Sequence, residues 1–260
     1  MKMRMKHWGV CVCAALVLGC LCNCCEKDPL SVSTDQLLLN AVTDYDGNTY
    51  YAVKLGNQVW MASNLKTTHY ADGTPISQGS SASYDVAYWY YPDDNSSNKA
   101  TYGLLYNWTA VMGNFSSSSS NPSEVQGICP DGWHLPSDAE WSELEEYVSS
   151  QSEYYCDTNT FCIAKALASS TGWHDSSSDF AVGNNQASNN ATGFSALPAG
   201  CYSCGSYYNF GDYVSFWSAT EASSDGAYLA YCRSLNYFDA VVHGGNTNKP
   251  NGFSVRCLRD

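Results

Sequence analysis

Basic side chains are scarce: the 260 residues carry 12 Lys and Arg against 25 Asp and Glu, a formal charge of −13. A chain so short of cations has little with which to neutralise phosphates, and it is not expected to bind nucleic acid. Long apolar runs are also missing. The one candidate, from Trp8 to about Leu21, is shorter than the roughly 20 residues that a bilayer crossing requires. No second Cys or His pair stands at finger-like spacing from Cys201-x-x-Cys204, which argues against a zinc site. There is no recognisable nucleophile elbow and no long-period internal repeat.

What is present begins with Lys2, Arg4 and Lys6 ahead of that short apolar stretch, the pattern of a signal peptide. It is expected over residues 1–24, with its end between 19 and 24. Val17-Leu18-Gly19-Cys20 approximates the lipobox of bacterial lipoproteins, and Cys25-Glu26-Lys27-Asp28 resembles a mature lipoprotein N-terminus of the Bacteroidetes group. Cys20 and Cys25 are therefore the lipidation candidates, since acyl chains on one of these thiols would anchor a protein with no other membrane segment. Ordinary secretion with cleavage near Gly19 is the alternative. The expected location is the cell envelope, at the outer membrane or the cell surface. Removing residues 1–19 leaves 9 Lys and Arg against 25 acids, a charge of −16. Residues 25–40 read as a tether, and residues 41–260 as one domain with enough chain for a single buried core.

Seven cysteines lie beyond the signal region: Cys129, Cys156, Cys162, Cys201, Cys204, Cys232 and Cys257. Export makes disulfides their expected state. The odd count leaves one thiol to stay free or to pair elsewhere, and spacing alone does not give the connectivity. The 20 Tyr and eight Trp suit the core of a loop-rich domain; stacking on glycans is the other use of such a surplus.

Along the chain, Tyr45-Asp46-Gly47-Asn48 predicts a type I′ hairpin turn, and Gly56-Asn57 a second two-residue turn before Gln58-Val59-Trp60-Met61, so the domain opens as a β-meander. Asp44-x-Asp46-Gly47-Asn48 superficially matches a calcium loop but lacks its remaining acids, and a plain turn is the better reading. Residues 67–121 are rich in Ser, Asn and Tyr and read as loops around Tyr102-Gly103-Leu104-Leu105-Tyr106-Asn107-Trp108. Ser137-Asp138-Ala139-Glu140 is a capping box, followed by Trp141, Leu144 and Val148 on one helical face with Glu143, Glu145 and Glu146 turned to solvent. A weaker helix is predicted near Ile163 to Ala168. Phe194-Ser195-Ala196-Leu197, Val214-Ser215-Phe216-Trp217, Ala227 to Leu235 and Gly252-Phe253-Ser254-Val255-Arg256 read as antiparallel strands.

Six blocks, in order over residues 41–260, resemble the Fibrobacter succinogenes major paralogous domain of exported proteins and lipoproteins. They are residues 56–65, 102–108, 129–141, 192–200, 216–221 and 252–257, with Cys129-Pro130-Asp131-Gly132-Trp133-His134-Leu135-Pro136 the most distinctive run. The block from Trp133 to Trp141 and the terminal Gly252-Phe253 also resemble the sulfatase-modifying-factor branch of the C-type lectin-like fold. The resemblance implies an α+β domain with mixed, mostly antiparallel sheet, one well-capped helix and long loops. It also implies pairing of Cys129 with Cys257, which the chain-entropy model values at about 4–5 kcal/mol. Cys156 with Cys162 is a candidate local bridge. Cys201, Cys204 and Cys232 depart from the family pattern; two of them are expected to pair, as Cys201–Cys204 or Cys201–Cys232.

The related formylglycine-generating oxidases use a reactive cysteine pair, and Cys201, Cys204 and Cys232 fall in the corresponding region, but the spacing differs. An oxidase or other enzyme is thus the alternative function, and a purely structural envelope component is a third. His134 reads as a partly buried histidine with a backbone partner, and Glu221 as ordering a strand end rather than forming half of a glycosidase pair. The favoured expectation is non-catalytic binding of an extracellular glycan or an envelope protein, with no cofactor unless calcium. Polar loops on lectin-like scaffolds can stack on sugars and bond their hydroxyls. The candidate ligand residues are Asp93, Asp94 and Asn95 in one loop, and Trp173, His174, Asp175, Asn184, Asn185, Asn189 and Asn190 in the other. Neither loop has the Glu-Pro-Asn or Trp-Asn-Asp signature of calcium-dependent lectins.

Overall fold

The computed structural model describes residues 37–154, 163–222 and 228–260. The signal peptide, Cys20, Cys25 and the Cys156–Cys162 bridge all lie outside the described residues, as does the tether up to residue 36. The described chain is a mixed α+β structure built of mostly antiparallel sheets and a few short helices.

Strands β1 (Leu37–Thr43), β2 (Thr49–Leu55) and β3 (Gln58–Met61) form the expected meander. The Gly56–Asn57 turn is as predicted, with Leu55 opposite Gln58 and Gly56 at φ +61°. The first turn is longer than the two-residue type I′ form. Thr43 faces Thr49 across a five-residue loop, because Asp44 accepts bonds from the Asn48 amide groups and the Tyr50 hydroxyl and holds the loop open around itself. Next, β4 (Ser77–Gln78), β5 (Tyr88–Tyr90) and β6 (Leu105–Tyr106) make a small sheet, with α1 (Lys99–Tyr102) before β6 and α2 (Trp108–Met112) after it.

Strand β7 (Trp133–His134) leads into α3 (Asp138–Ser150). The capping box is complete: Glu140 N–H donates to Ser137 Oγ, and Ser137 N–H donates to Glu140 Oε2. Trp141, Leu144 and Val148 are buried as the helical stripe requires. Glu145 departs from its solvent reading: it accepts from Arg233 Nε at 2.5 Å, while Asp138 of the same helix accepts from Arg233 Nη1. Helix α4 (Ile163–Leu167) matches the weaker helical prediction. A hairpin of β8 (Cys201–Ser203) and β9 (Ser206–Tyr208) precedes the sheet of β10 (Tyr213–Glu221), β11 (Leu229–Asn236) and β12 (His243–Asn248). Strand β13 (Leu258–Arg259) closes the chain by inserting between β3 and β7, giving the sheet order β1-β2-β3-β13-β7.

Two predicted strands are not strands. In residues 194–197 only Ala196 bridges to a neighbour, Ala168. Residues 252–254 make one bridge each, to Tyr202, Tyr106 and Phe216, and the carbonyls of Val255 and Cys257 accept from Leu65 and Met61. This segment passes between several sheets and touches each too briefly to make a ladder. It carries Arg256, which is fully buried; its guanidinium donates to Asn64 Oδ1 and the carbonyls of Met61, Phe194 and Ser195, and lies 4.6 Å from the Phe194 ring centroid.

The alternation along β2 divides the core. Tyr50 and Ala52 point to a cluster with Met61, Tyr106, Val111 and Trp217, whereas Val53 and Leu55 point to one with Trp60, Trp141, Phe194 and Phe216. All seven described Trp thus fill the interior, whereas only five of the nineteen described Tyr are buried. Cys129 and Cys257 form a disulfide with a Cα–Cα distance of 5.9 Å, fastening the entry to β7 to the segment that leads into β13. Cys201, Cys204 and Cys232 carry no disulfide, contrary to the expected pairing. Cys201 starts β8 and Cys204 sits at the exposed β8–β9 turn, while Cys232 lies inside β11 opposite Trp217. The preceding residue Gly200 bridges β10 on the edge that β11 leaves free, so Cys201 and Cys232 flank β10; two strand spacings are about 9–10 Å, beyond disulfide reach. Among the described residues no helix is long and apolar enough to cross a membrane.

Candidate functional site

The N-terminus of α3, strand β7 and the C-terminal residues meet at a cleft of about 650 Å³. The capping box positions its floor. Glu140 Oε2 accepts from the backbone of Ser137 and Ser123, and its Oε1 lies 2.8 Å from His134 Nε2. On the other side of the ring, His134 Nδ1 lies 2.6 Å from Asp260 Oδ1. Asp260 is held there by β13, whose Leu258 pairs with His134, and by its own N–H on the Gly132 carbonyl. His134 is therefore buried between two carboxylates rather than against a backbone partner. Burial by itself would lower the imidazole pKa, but the hydrogen bonds to Glu140 and Asp260 outweigh it and raise the pKa above the ordinary histidine value. With a carboxyl group on each ring nitrogen, the two bonds fix the ring's orientation and favour its protonated form.

The walls are hydrogen-bonding groups. Asn121 donates to Glu143 Oε2 at 2.7 Å, and Gln126 donates to Asp131 Oδ1 at 2.9 Å. Asn57 at the β2–β3 turn, Glu124 and Arg259 complete the rim. Glu124 is exposed and has a backbone φ of +59°. Below lies Gln58, which donates to the Glu140 carbonyl and accepts from Trp60 Nε1. A second cleft, of about 600 Å³, opens between residues 70–75, α2 and residues 113–115, with Tyr70, Phe115, Asp72 and Asp85 in its lining.

The ligand residues expected from the sequence lie elsewhere. Asp93 and Asp94 both have positive φ in an exposed turn, where Asp94 hydrogen-bonds Tyr207 and Asn95 caps the next turn through the Ser97 N–H. In the other loop, Trp173 is buried and donates to Ser169 Oγ, His174 pairs with Asp212 at 2.7 Å, and Asp175 accepts from Gln186. The carbonyls of Asn184 and Asn185 and the Oδ1 of Asn189 gather around the Lys165 ammonium. Asn189 Nδ2 donates to the Ser169 and Val182 carbonyls, and Asn190 bonds Ser195 twice. These amides build an internal cage for a half-buried lysine. One signal pointed to it: Lys165 stands alone in the apolar segment Ile163–Ala168, so burying that helix requires acceptors for its ammonium. Among the described residues no group of three or more His, Cys, Asp or Glu side chains is arranged to hold a metal ion. Glu221 does order a strand end, by pairing with Lys249.

The sequence profile of the Fibrobacter succinogenes major domain matches residues 53–259. The chain belongs to that family. The Fibrobacter succinogenes major domain therefore includes the whole of the His134 cleft apart from Asp260, and both cysteines of the disulfide. No curated protein sequence and no solved structure matches the chain.

Proposed function

We propose that this domain is the recognition head of a cell-envelope lipoprotein, anchored through Cys20 or Cys25 and facing outward on a C-type lectin-like scaffold, and that it binds an extracellular glycan without catalysis. The observation that carries the reading is the cleft beside His134. Asn57, Asn121, Glu124, Gln126, Asp131 and Glu143 place six hydrogen-bonding side chains around one concave surface, and amides and carboxylates are the groups that bind sugar hydroxyls. The cleft's one imidazole is hydrogen-bonded on both nitrogens, to Glu140 and Asp260, so neither nitrogen is free to face a substrate as a general base. The mostly antiparallel α+β architecture and the long loops are in keeping with a lectin-like scaffold.

Thiol chemistry of the oxidase kind finds little support. Burial pushes the thiols of both Cys201 and Cys232 up to about 11, whereas a reactive or metal-binding cysteine needs an accessible, depressed thiolate. A glycan array probed with the full-length protein beside Asn121→Ala and Asp131→Ala variants tests the proposal. Retention of one glycan class by the wild type, weakened in both variants, is the expected result. An array that stays blank while envelope proteins are captured would replace the glycan with a protein partner.

A further inference from the structure

Gln126 borders both clefts. The chain around it forms the ridge between them, with Glu124 on the first cleft and Gly127 on the second. That ridge is pinned on both sides. Ile128 N–H donates to the Val111 carbonyl of α2, and Leu135 N–H donates to the Val125 carbonyl. Gly127 has φ +53°, and a Cβ there would stand 2.2 Å from the Val111 oxygen, so the backbone lies against α2 where no side chain fits. The Gln126 side chain itself is drawn toward the first cleft by its bond to Asp131. One loop serves as a wall for both openings. It lines the second cleft with Gly113, Asn114 and Phe115 and the first with Asn121 and Pro122. Between them it is fastened to β10, through Ser118 N–H on the Ala219 carbonyl, Glu221 N–H on Ser117 Oγ and Thr220 Oγ1 on the Ser118 carbonyl.

We propose that the two clefts are halves of one groove, and that its ligand is an oligosaccharide chain without anionic groups, long enough to pass over Gln126 and occupy both. This rests on the glycan reading above and specifies it. Both halves mix apolar and polar groups, as the two faces and the edge of a sugar ring do. The second offers the rings of Tyr70 and Phe115, the latter 46% exposed, for stacking against C–H faces. The first offers amides and carboxylates for hydroxyls. Charge sets the second condition. Glu124, Asp131, Glu143 and Asp260 line the first half and Asp72 and Asp85 the second, while Arg259 is the one basic residue besides the already paired His134. Uronate, sulfate or phosphate groups would meet like charge along the groove.

Each half has the volume of a site for one small ligand. A chain that reaches both makes its second contact intramolecularly, which can raise affinity by as much as about 10²–10⁴ over either part alone. The test is calorimetric titration of the full-length protein with gluco-, manno- and N-acetylglucosamine oligosaccharides of two and of six units, and with a galacturonate hexamer. In at least one uncharged series the hexamer should bind more than about tenfold tighter than the dimer. Gln126→Trp, which raises the ridge, should remove most of that advantage, bringing the hexamer's affinity close to that of the dimer measured on the same variant. Phe115→Ala, at an exposed position with little effect on folding, should weaken the hexamer more than the dimer. Equal affinity for dimer and hexamer, or an advantage that survives Gln126→Trp in a protein with unchanged melting, would overturn the single groove while leaving glycan binding in place. A galacturonate hexamer bound as tightly as the uncharged one would overturn the charge selection. No binding of any length in any series would sink the glycan reading itself, and this inference with it.

Discussion

The Cys129–Cys257 disulfide closes a loop of 128 residues that contains β7, α3 and the whole β10–β11–β12 sheet. Cross-linking a loop of that length removes denatured-state entropy worth about 5 kcal/mol in the chain-entropy model, at the upper end of what native disulfides contribute. Total stabilities of single domains are about 5–15 kcal/mol, so this one bond is expected to decide whether the domain is robust or marginal. The local effect has a direction as well. Strand β13 has two residues, and its hold on the sheet is a few hydrogen bonds to β3 and β7. Without the disulfide, those few bonds are what retains the C-terminal tail, and Asp260 is expected to leave His134 with it. Urea unfolding followed by Trp fluorescence, on the oxidised protein and on Cys129→Ala/Cys257→Ala, should show a loss of about 3–5 kcal/mol. Truncating two fully buried thiols adds a packing loss, so the wild type held reduced in tris(2-carboxyethyl)phosphine is the matched control. A loss below about 1 kcal/mol in both would refute the loop-entropy reasoning. So would hydrogen exchange that leaves residues 258–260 as protected as before.

Three further outcomes follow from single side chains. Arg256→Lys keeps the charge but presents one ammonium to four acceptors that a planar guanidinium reaches together; at least one buried carbonyl is orphaned, and thermal melting should report a loss of about 1–3 kcal/mol. The raised pKa of His134 makes its contribution to stability complete below the unfolded-state value of about 6.5 and lost as pH rises through the folded-state value; urea midpoints should fall over that window in the wild type, and His134→Gln should flatten the fall. Peptide-mapped alkylation under native conditions should label Cys204 before Cys201 and Cys232, since Cys232 is buried and burial raises both Cys201 and Cys232 to about 11; early labelling of Cys232 would contradict the packing of β11 and reopen the oxidase reading.

What could be read from the sequence was short in range. The Ser137–Glu140 box and the Trp141, Leu144, Val148 stripe are decided within one helix, and the Gly56–Asn57 turn within four residues. Each turned out as patterned. Two of the misreadings share one cause, a polar side chain whose partner is remote. Glu145 reads as solvent-facing because its own helix gives no reason to bury it; the reason is Arg233, 88 positions away. The amides of residues 184–190 read as an open ligand loop, while the cation they enclose, Lys165, belongs to a separate helix. The strand prediction for residues 252–256 followed strand-forming composition, but Gly252 and Phe253 bridge to different neighbours, which composition cannot register.

The candidate site lay between these extremes, because its parts were visible and its assembly was not. His134 and Glu140 fall in one distinctive block, and the capping role of Glu140 was plain. The second carboxylate on the imidazole comes from Asp260, 126 positions away, carried by a strand too short to leave a period-2 pattern. The link was nevertheless implicit in the cysteines. If Cys257 pairs with Cys129, the chains that lead into β13 and β7 start from Cα atoms about 6 Å apart; a turn at residues 130–132 then brings β7 back antiparallel to β13, with Leu258 opposite His134 and Asp260 two residues further along that chain. A covalent constraint thus carried information about a polar site that no local motif contained, which is the physical reason to expect the cleft to lose its shape when that constraint is cut.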